Sequence, residues 1–186
     1  MRVMADFLDP DTPLPGGDAV LWFWQWAMSS LGEDTTRELF AEYLVATALG
    51  CVDDGPRIES DVADIRYEGH LVEVNASINH EPWKLDTPSA VRFDVARKRW
   101  WNAETGEYSD EPSRPADAYV FCHFNGAATS DEVVKEENWF FYVVSTSTLD
   151  EELGDQKTIG LRRLHGLTTA TSLAEIKAVV DVALKD

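Results

Sequence analysis

Asp64 and Glu73 stand nine positions apart, each in a short run of apolar and polar residues, with Tyr67-Glu68-Gly69 between the runs. If the runs pair as an antiparallel hairpin, the two carboxylates can come close together. A hard divalent cation needs such donors, since Mg²⁺ takes an octahedral shell of oxygens, usually one or two carboxylates plus water and substrate phosphate. The carbonyl of Val74 lies beside the Glu73 side chain and offers one more protein oxygen, and Glu42 supplies a carboxylate from the preceding helix. Asn75, two residues beyond Glu73, points to the same strand face. An ion held there would stabilise charge on a scissile phosphate and activate water. On spacing alone, the default alternative is a pair of surface carboxylates on an exposed hairpin face.

The elements that must position these residues follow from periodicity and punctuation. Asp9-Pro10, Pro13, Pro15 and Gly16-Gly17 interrupt regular structure and predict an extended arm over 1–18, ahead of a single domain over 19–186. Asp18 reads as the N-cap of a helix over 19–31, stopped by Gly32. That segment is apolar on nearly every side, which predicts a buried helix with Trp22, Phe23, Trp24 and Trp26 in the core; an interaction surface is the second reading. Asp34-Thr35-Thr36 opens a second helix with an apolar face of Leu39, Phe40, Tyr43, Leu44 and Ala48, ended by Gly50. Glu38 and Glu42 share one face of it, either as a solvated stripe or as part of a site.

Strands are predicted over 62–66, 70–76, 90–95, 116–124 and 139–145, the fourth continuous enough to be buried on both faces. A charged loop covers 126–138, a short helix 148–152, and a terminal helix 172–184 in which Ser172 and Glu175 form a capping box. The sum is an α/β domain with a mixed central sheet flanked by helices.

Composition restricts the partners. With 34 acidic against 16 basic side chains among 186 residues, the net charge of −18 excludes a basic nucleic-acid coat, while 44% apolar content excludes a disordered acidic tail. Residues 1–64 hold 13 acids and 3 bases, whereas 84–114 hold 6 of each, with Arg97, Lys98 and Arg99 followed by two tryptophans. A polyanion could approach only there, with Arg97, Lys98 and Arg99 on phosphates, in a salt-sensitive way. The longest apolar run is far below the roughly 18 residues of a membrane span, and the start lacks a signal-peptide layout, so a soluble cytoplasmic protein without a membrane partner is expected. Cys51 and Cys122 read as small buried hydrophobes, and thiolate metal binding is not expected.

Residues 37–46 (RELFAEYLVA), 61–65 (DVADI) and 71–77 (LVEVNAS) resemble the opening helix and hairpin of the PD-(D/E)XK, or restriction-endonuclease-like, superfamily. The stretch from Glu104 through 108–112 (YSDEP) to 116–122 (ADAYVFC), and later 149–151 (LDE) with 154–157 (GDQK), is similar to a group of uncharacterised bacterial proteins of that fold. The likeness covers roughly residues 20–165. It implies a restriction-endonuclease-like sheet and a Mg²⁺- or Mn²⁺-dependent endonuclease hydrolysing DNA phosphodiesters. By the same resemblance Asp64, Glu73 and the Val74 carbonyl hold the metal, and Glu42 orients bound water.

The family pattern has Lys two residues after the second acid, where this chain has Asn75. That Lys orients or activates the attacking water and stabilises phosphate charge; Asn carries no positive charge. Asn75 can still position water by hydrogen bonding, Lys84 can reach back from the next segment, or Glu42 or Glu81 can assist a second metal. The resemblance equally implies an alternative, a degenerate nuclease fold acting with a protein partner in binding or assembly within a defence or mobile-element system. Many nucleases of this fold are homodimers, and the Trp-rich first helix offers a surface for that. His70, His80, His123 and His165 show no metal-ligand spacing, and Ser77 and Ser145 no nucleophile context.

Overall fold

The computed structural model describes residues 6–58, 61–79, 90–102 and 106–186. In chain order the elements are α1 (Val20–Met28), α2 (Asp34–Leu49), β1 (Ile65–Tyr67), β2 (His70–Ile78), β3 (Arg92–Asp94), β4 (Trp101–Asn102), β5 (Glu107–Tyr108) and β6 (Ala118–Phe124). There follow α3 (Ser130–Val133), β7 (Trp139–Ser145), α4 (Thr146–Leu153), β8 (Thr158–Gly160), α5 (Leu161–Leu164) and α6 (Ile176–Ala183). The architecture is mixed α/β around a four-stranded sheet in the order β1-β2-β6-β7.

The sheet is mixed because β2 runs parallel to β6, while β1 with β2 and β6 with β7 are antiparallel. The β1–β2 turn is tight: Glu68 and Gly69 both take positive φ, 49° and 89°, as a two-residue type I′ turn requires. The central strand β6 is buried at all seven positions, matching its unbroken apolar run. Alternation then divides the core. Val72, Val74, Ile78, Val120, Cys122 and Phe124 pack on the face that α2 and α6 cover, and Phe121 and Tyr119 pack opposite with Phe93, Tyr142, Leu149 and Ile159. Each fully buried side chain of this size adds about 1.5–3 kcal/mol by removal from water.

Helix α2 stops where Gly50 takes a left-handed φ of 76°. The terminal helix opens through a 3-10 turn, Leu173–Glu175, carrying the expected Ser172–Glu175 capping box. The loop over 126–138 contains α3 and a second 3-10 turn, and the predicted 148–152 helix is α4, one turn longer. Strand β3 packs against the four-stranded sheet, Phe93 meeting Phe121 at 5.1 Å between ring centroids, but pairs antiparallel with β8, a three-residue strand the sequence reading did not contain. Arg114, its side chain fully buried, ties the segment after β3 to the segment after α4. It donates to the carbonyls of Val95 (2.8 Å), Gly154 (2.9 Å) and Gln156 (3.3 Å) and pairs with Asp150.

The first helix departs from expectation. Only Val20 of α1 is buried, while Trp26 is 84% and Trp22 62% exposed, so these aromatics are not core residues. The reason is where the helix sits: Val20 N–H and Leu21 N–H donate to the carbonyls of Thr12 and Pro10, so the arm doubles back on the start of α1. Asp18 does not cap it; Ala19 holds that position, and the Asp18 carbonyl accepts from Leu14 N–H at 2.7 Å within the turn. Gly32 comes after the helix has ended, where a β-carbon would overlap the Ala128 carbonyl oxygen. Among the described residues no helix is long and apolar enough to cross a membrane.

Candidate functional site

The register that pairs Ile65 with Val72 and Arg66 with Leu71, carried one step past the end of β1, sets Asp64 across from Glu73. At that step the chain bends out of the ladder, and the Asp64 side chain turns back so that Oδ2 accepts the Val74 N–H at 2.8 Å. In an extended strand the N–H and C=O of one residue leave by the same edge. The Val74 carbonyl therefore also faces the Asp64 side instead of β6.

Both carboxyls are held in a poor setting for negative charge. Burial, then the charge of Glu42, pushes Asp64 up to about 6, against the pull of the Val74 hydrogen bond and of Arg57. Burial, then the charge of Asp64, pushes Glu73 up to about 8, and Lys98 is the largest influence in the opposite sense. Asp64 thus raises Glu73, while Asp64 itself is raised by burial and by Glu42. A divalent cation between them would reverse that penalty.

Glu42 reaches the same neighbourhood from α2, but both of its oxygens are engaged. Arg57 donates through Nη2 to Oε1 at 2.9 Å and through Nε to Oε2. As found, Glu42 contributes charge beside Asp64 while its lone pairs face a guanidinium. It is buried, whereas Glu38, four residues earlier, is exposed.

Asn75 follows Glu73 on the same strand face, in register with Phe121 of β6. Its Nδ2 is buried and has no hydrogen-bond partner among the described residues. A buried donor left unpaired costs about 1–3 kcal/mol, so this amide is a place where a ligand oxygen would be welcome. Glu73 and Asn75 line a cavity of about 140 Å³ together with Trp100 and Tyr119, and the exposed side chains of Asp94, Lys98 and Arg99 border it.

The donor set fits a hard cation in the sparse manner of Mg²⁺, with two carboxylates, a strand carbonyl and space for water or phosphate oxygens. Among the described residues no three of His, Cys, Asp and Glu gather into a set able to hold an ion unaided. Chelation by protein alone is thus not what this arrangement offers.

The basic cluster separates into three environments. Arg97 pairs with Asp150 at 2.8 Å and Asp155 at 3.2 Å, Lys98 pairs with Asp94 at 2.5 Å, and Arg99 borders the cavity. Glu81, Lys84 and His80 lie outside the described residues. Elsewhere, His70 faces Asp117 at 3.3 Å, and His165 meets the Tyr142 hydroxyl at 2.9 Å. Burial pushes His123 down and the Cys122 thiol up, and Cys51 and Cys122 form no disulfide. Arg57, Asp94 and Tyr119 were not among the candidate site residues singled out from sequence, whereas Trp100 was read there with the basic run. The first three carried no such signal.

No family model matches the chain, and no curated protein matches it either.

Proposed function

We propose that this chain is a nuclease-like protein of the restriction-endonuclease-like fold, acting on DNA phosphodiesters with Mg²⁺ or Mn²⁺. The observation that carries the reading is the cross-strand pair of Asp64 and Glu73, both raised by burial and Glu73 also by Asp64, beside a cavity bordered by cations. Asp64, Glu73 and the Val74 carbonyl would hold the metal. When bound, it would supply Lewis acidity at the phosphate and a water of lowered pKa.

The chain's own residues then act around the phosphate. The Asn75 amide donates to a phosphate oxygen or to the attacking water, which satisfies its orphaned Nδ2. Arg57 holds Glu42 so that this carboxylate biases Asp64 without competing for the same space. Trp100 and Tyr119 line the cavity of about 140 Å³ in which the phosphate would sit. Hydrolysis forms a bond from water oxygen to phosphorus and breaks one ester bond, the displaced oxygen taking up a proton.

The net charge of −18 opposes DNA association, so binding depends on the basic border and falls steeply with salt. The test is cleavage of supercoiled plasmid and single-stranded DNA with Mn²⁺ or Mg²⁺ by the native protein, Glu73→Ala and Asn75→Lys. Cleavage by the native protein that Glu73→Ala abolishes supports the reading; silence in all three removes it.

A second reading has its own observation. Helix α1 exposes Leu21, Trp22, Phe23, Trp24, Trp26 and Met28, far more apolar side chain than one surface helix usually carries. That favours an assembly or binding subunit built on a lapsed nuclease fold, acting with a protein partner or as a homodimer. Cleavage by Asn75→Lys alone would support it.

A further inference from the structure

The cavity that Asn75 lines without a positive charge of its own receives one from another segment. Lys98 borders the same cavity as Glu73 and Asn75, four residues after Asp94 of β3. Its backbone is fixed: Lys98 and Ser113 exchange two hydrogen bonds of 3.0 Å, and the neighbouring Arg114 grips the Val95 carbonyl at 2.8 Å. The Lys98 side chain is 66% exposed and its ammonium rests on Asp94, whose side chain is 45% exposed. An exposed pair of that kind is weak and exchanges readily for another anion. Arg97, by contrast, is held between Asp150 and Asp155. Of the cations at the cavity, Lys98 is the one whose charge pulls against the upward push on Glu73.

We infer that Lys98 contacts the phosphate taken up beside Glu73 and Asn75, and so supplies from the β3–β4 connection the positive charge that Asn75 lacks. The inference rests on the nuclease reading for the identity of the phosphate, a DNA phosphodiester. A compact ammonium on a flexible stem suits the task, since it can leave Asp94 for a phosphate oxygen without the fixed geometry a guanidinium demands. Asn75 then donates one hydrogen bond from below while Lys98 neutralises charge from the open side.

The test uses a short fluorescein-labelled DNA oligonucleotide, with anisotropy measured in Ca²⁺ over a range of salt, beside Mn²⁺-dependent plasmid cleavage. The proteins are native, Lys98→Ala, Lys98→Ala with Asn75→Lys, Glu73→Ala, and Lys135→Ala as a control on a distant exposed lysine paired with Glu132. Lys98→Ala should weaken binding about tenfold and reduce the salt slope by about one, and the lysine placed at position 75 should restore both. Lys135→Ala should bind like the native protein. In cleavage, Lys98→Ala should lower kcat by about 100-fold or more, the loss typical of a missing transition-state charge partner. Affinity and salt slope unchanged in Lys98→Ala overturn the inference. If Glu73→Ala abolishes cleavage while Lys98→Ala keeps it, the inference fails and the nuclease reading stands. If the native protein never cleaves but binds through Lys98, the nuclease reading fails and the phosphate contact stands; no binding by the native protein overturns both.

Discussion

Replacing Glu73 by glutamine removes one charge from the hairpin and leaves its shape, which makes it the cleanest probe of the paired acids. Burial and Asp64 push the Glu73 carboxyl from an ordinary 4.5 up to about 8. A raised carboxyl pKa means that the folded state holds the proton more tightly than the unfolded chain. Its stability is therefore complete below the unfolded value and declines as pH climbs through the window from about 4.5 to about 8. At 1.36 kcal/mol per pKa unit, the charge costs the fold about 3–4 kcal/mol at pH 8 and about 1 kcal/mol at pH 5. For a chain of this length each kcal/mol moves Tm by about 2–4 °C. Glu73→Gln should accordingly melt about 6–16 °C above the native protein at pH 8 without divalent ions, with the gap closing to about 2–4 °C at pH 5. Thermal melts by circular dichroism in chelated buffer across that range provide the measurement. A Gln variant no more stable than native at pH 8, or a gap that does not depend on pH, would refute the reasoning.

Four further outcomes follow from particular contacts. Mn²⁺ at 100 times its dissociation constant should stabilise the native protein by about 2.7 kcal/mol, and should leave the melting of Glu73→Gln nearly unmoved, as scanning calorimetry would show. Arg114→Ala removes the donor to the carbonyls of Val95, Gly154 and Gln156 and leaves Asp150 with Arg97 alone, so urea unfolding should register a loss of about 3 kcal/mol. Arg57→Ala leaves Glu42 buried without its guanidinium and should cost about 2 kcal/mol at pH 8, with part of the loss recovered in the double variant with Glu42→Gln. Trp26→Ser should leave Tm within about 1 °C of native, since the side chain is 84% exposed, while light scattering reports any loss of self-association.

The hairpin was legible because its signals agree: alternating side chains, a glycine at the turn and apolar flanks all specify one register, and that register is what brings Asp64 to Glu73. The continuous run of β6 and the capping box before α6 were legible for the same reason. Helix α1 was not. An apolar segment reads alike whether it lies in a core or stands on a surface, and only the tertiary placement of the arm over residues 6–18 decides between them. Strand β8 escaped because three residues in a polar stretch carry no period, and its partner β3 gains that pairing only after Arg114 draws the two segments together. Arg57 and Arg114 sit in loops, where no spacing rule marks them, although they hold the charge pattern of the site in place.

That pattern bears on how an Asn can stand where the resemblance leads one to expect a Lys. Among the described residues five carboxylates act on this region, those of Glu38, Glu42, Asp64, Glu73 and Asp94. Arg57 compensates Glu42 at the α2 end, and Lys98 compensates Asp94 at the cavity's border. Asp64 and Glu73 are left as two adjacent carboxyls with no ion pair of their own among the described residues, and burial disfavours the charged form of both. A hairpin that served only the fold would be more stable with a neutral residue at either position. Two uncompensated carboxylates match one divalent cation, and a Lys at position 75 would already have offset part of that charge. On the nuclease reading, with Asn75 in its place, the charge that would face a phosphate comes from outside β2, and Lys98 lies where it could leave one carboxylate for that phosphate without disturbing the pair that a cation would neutralise.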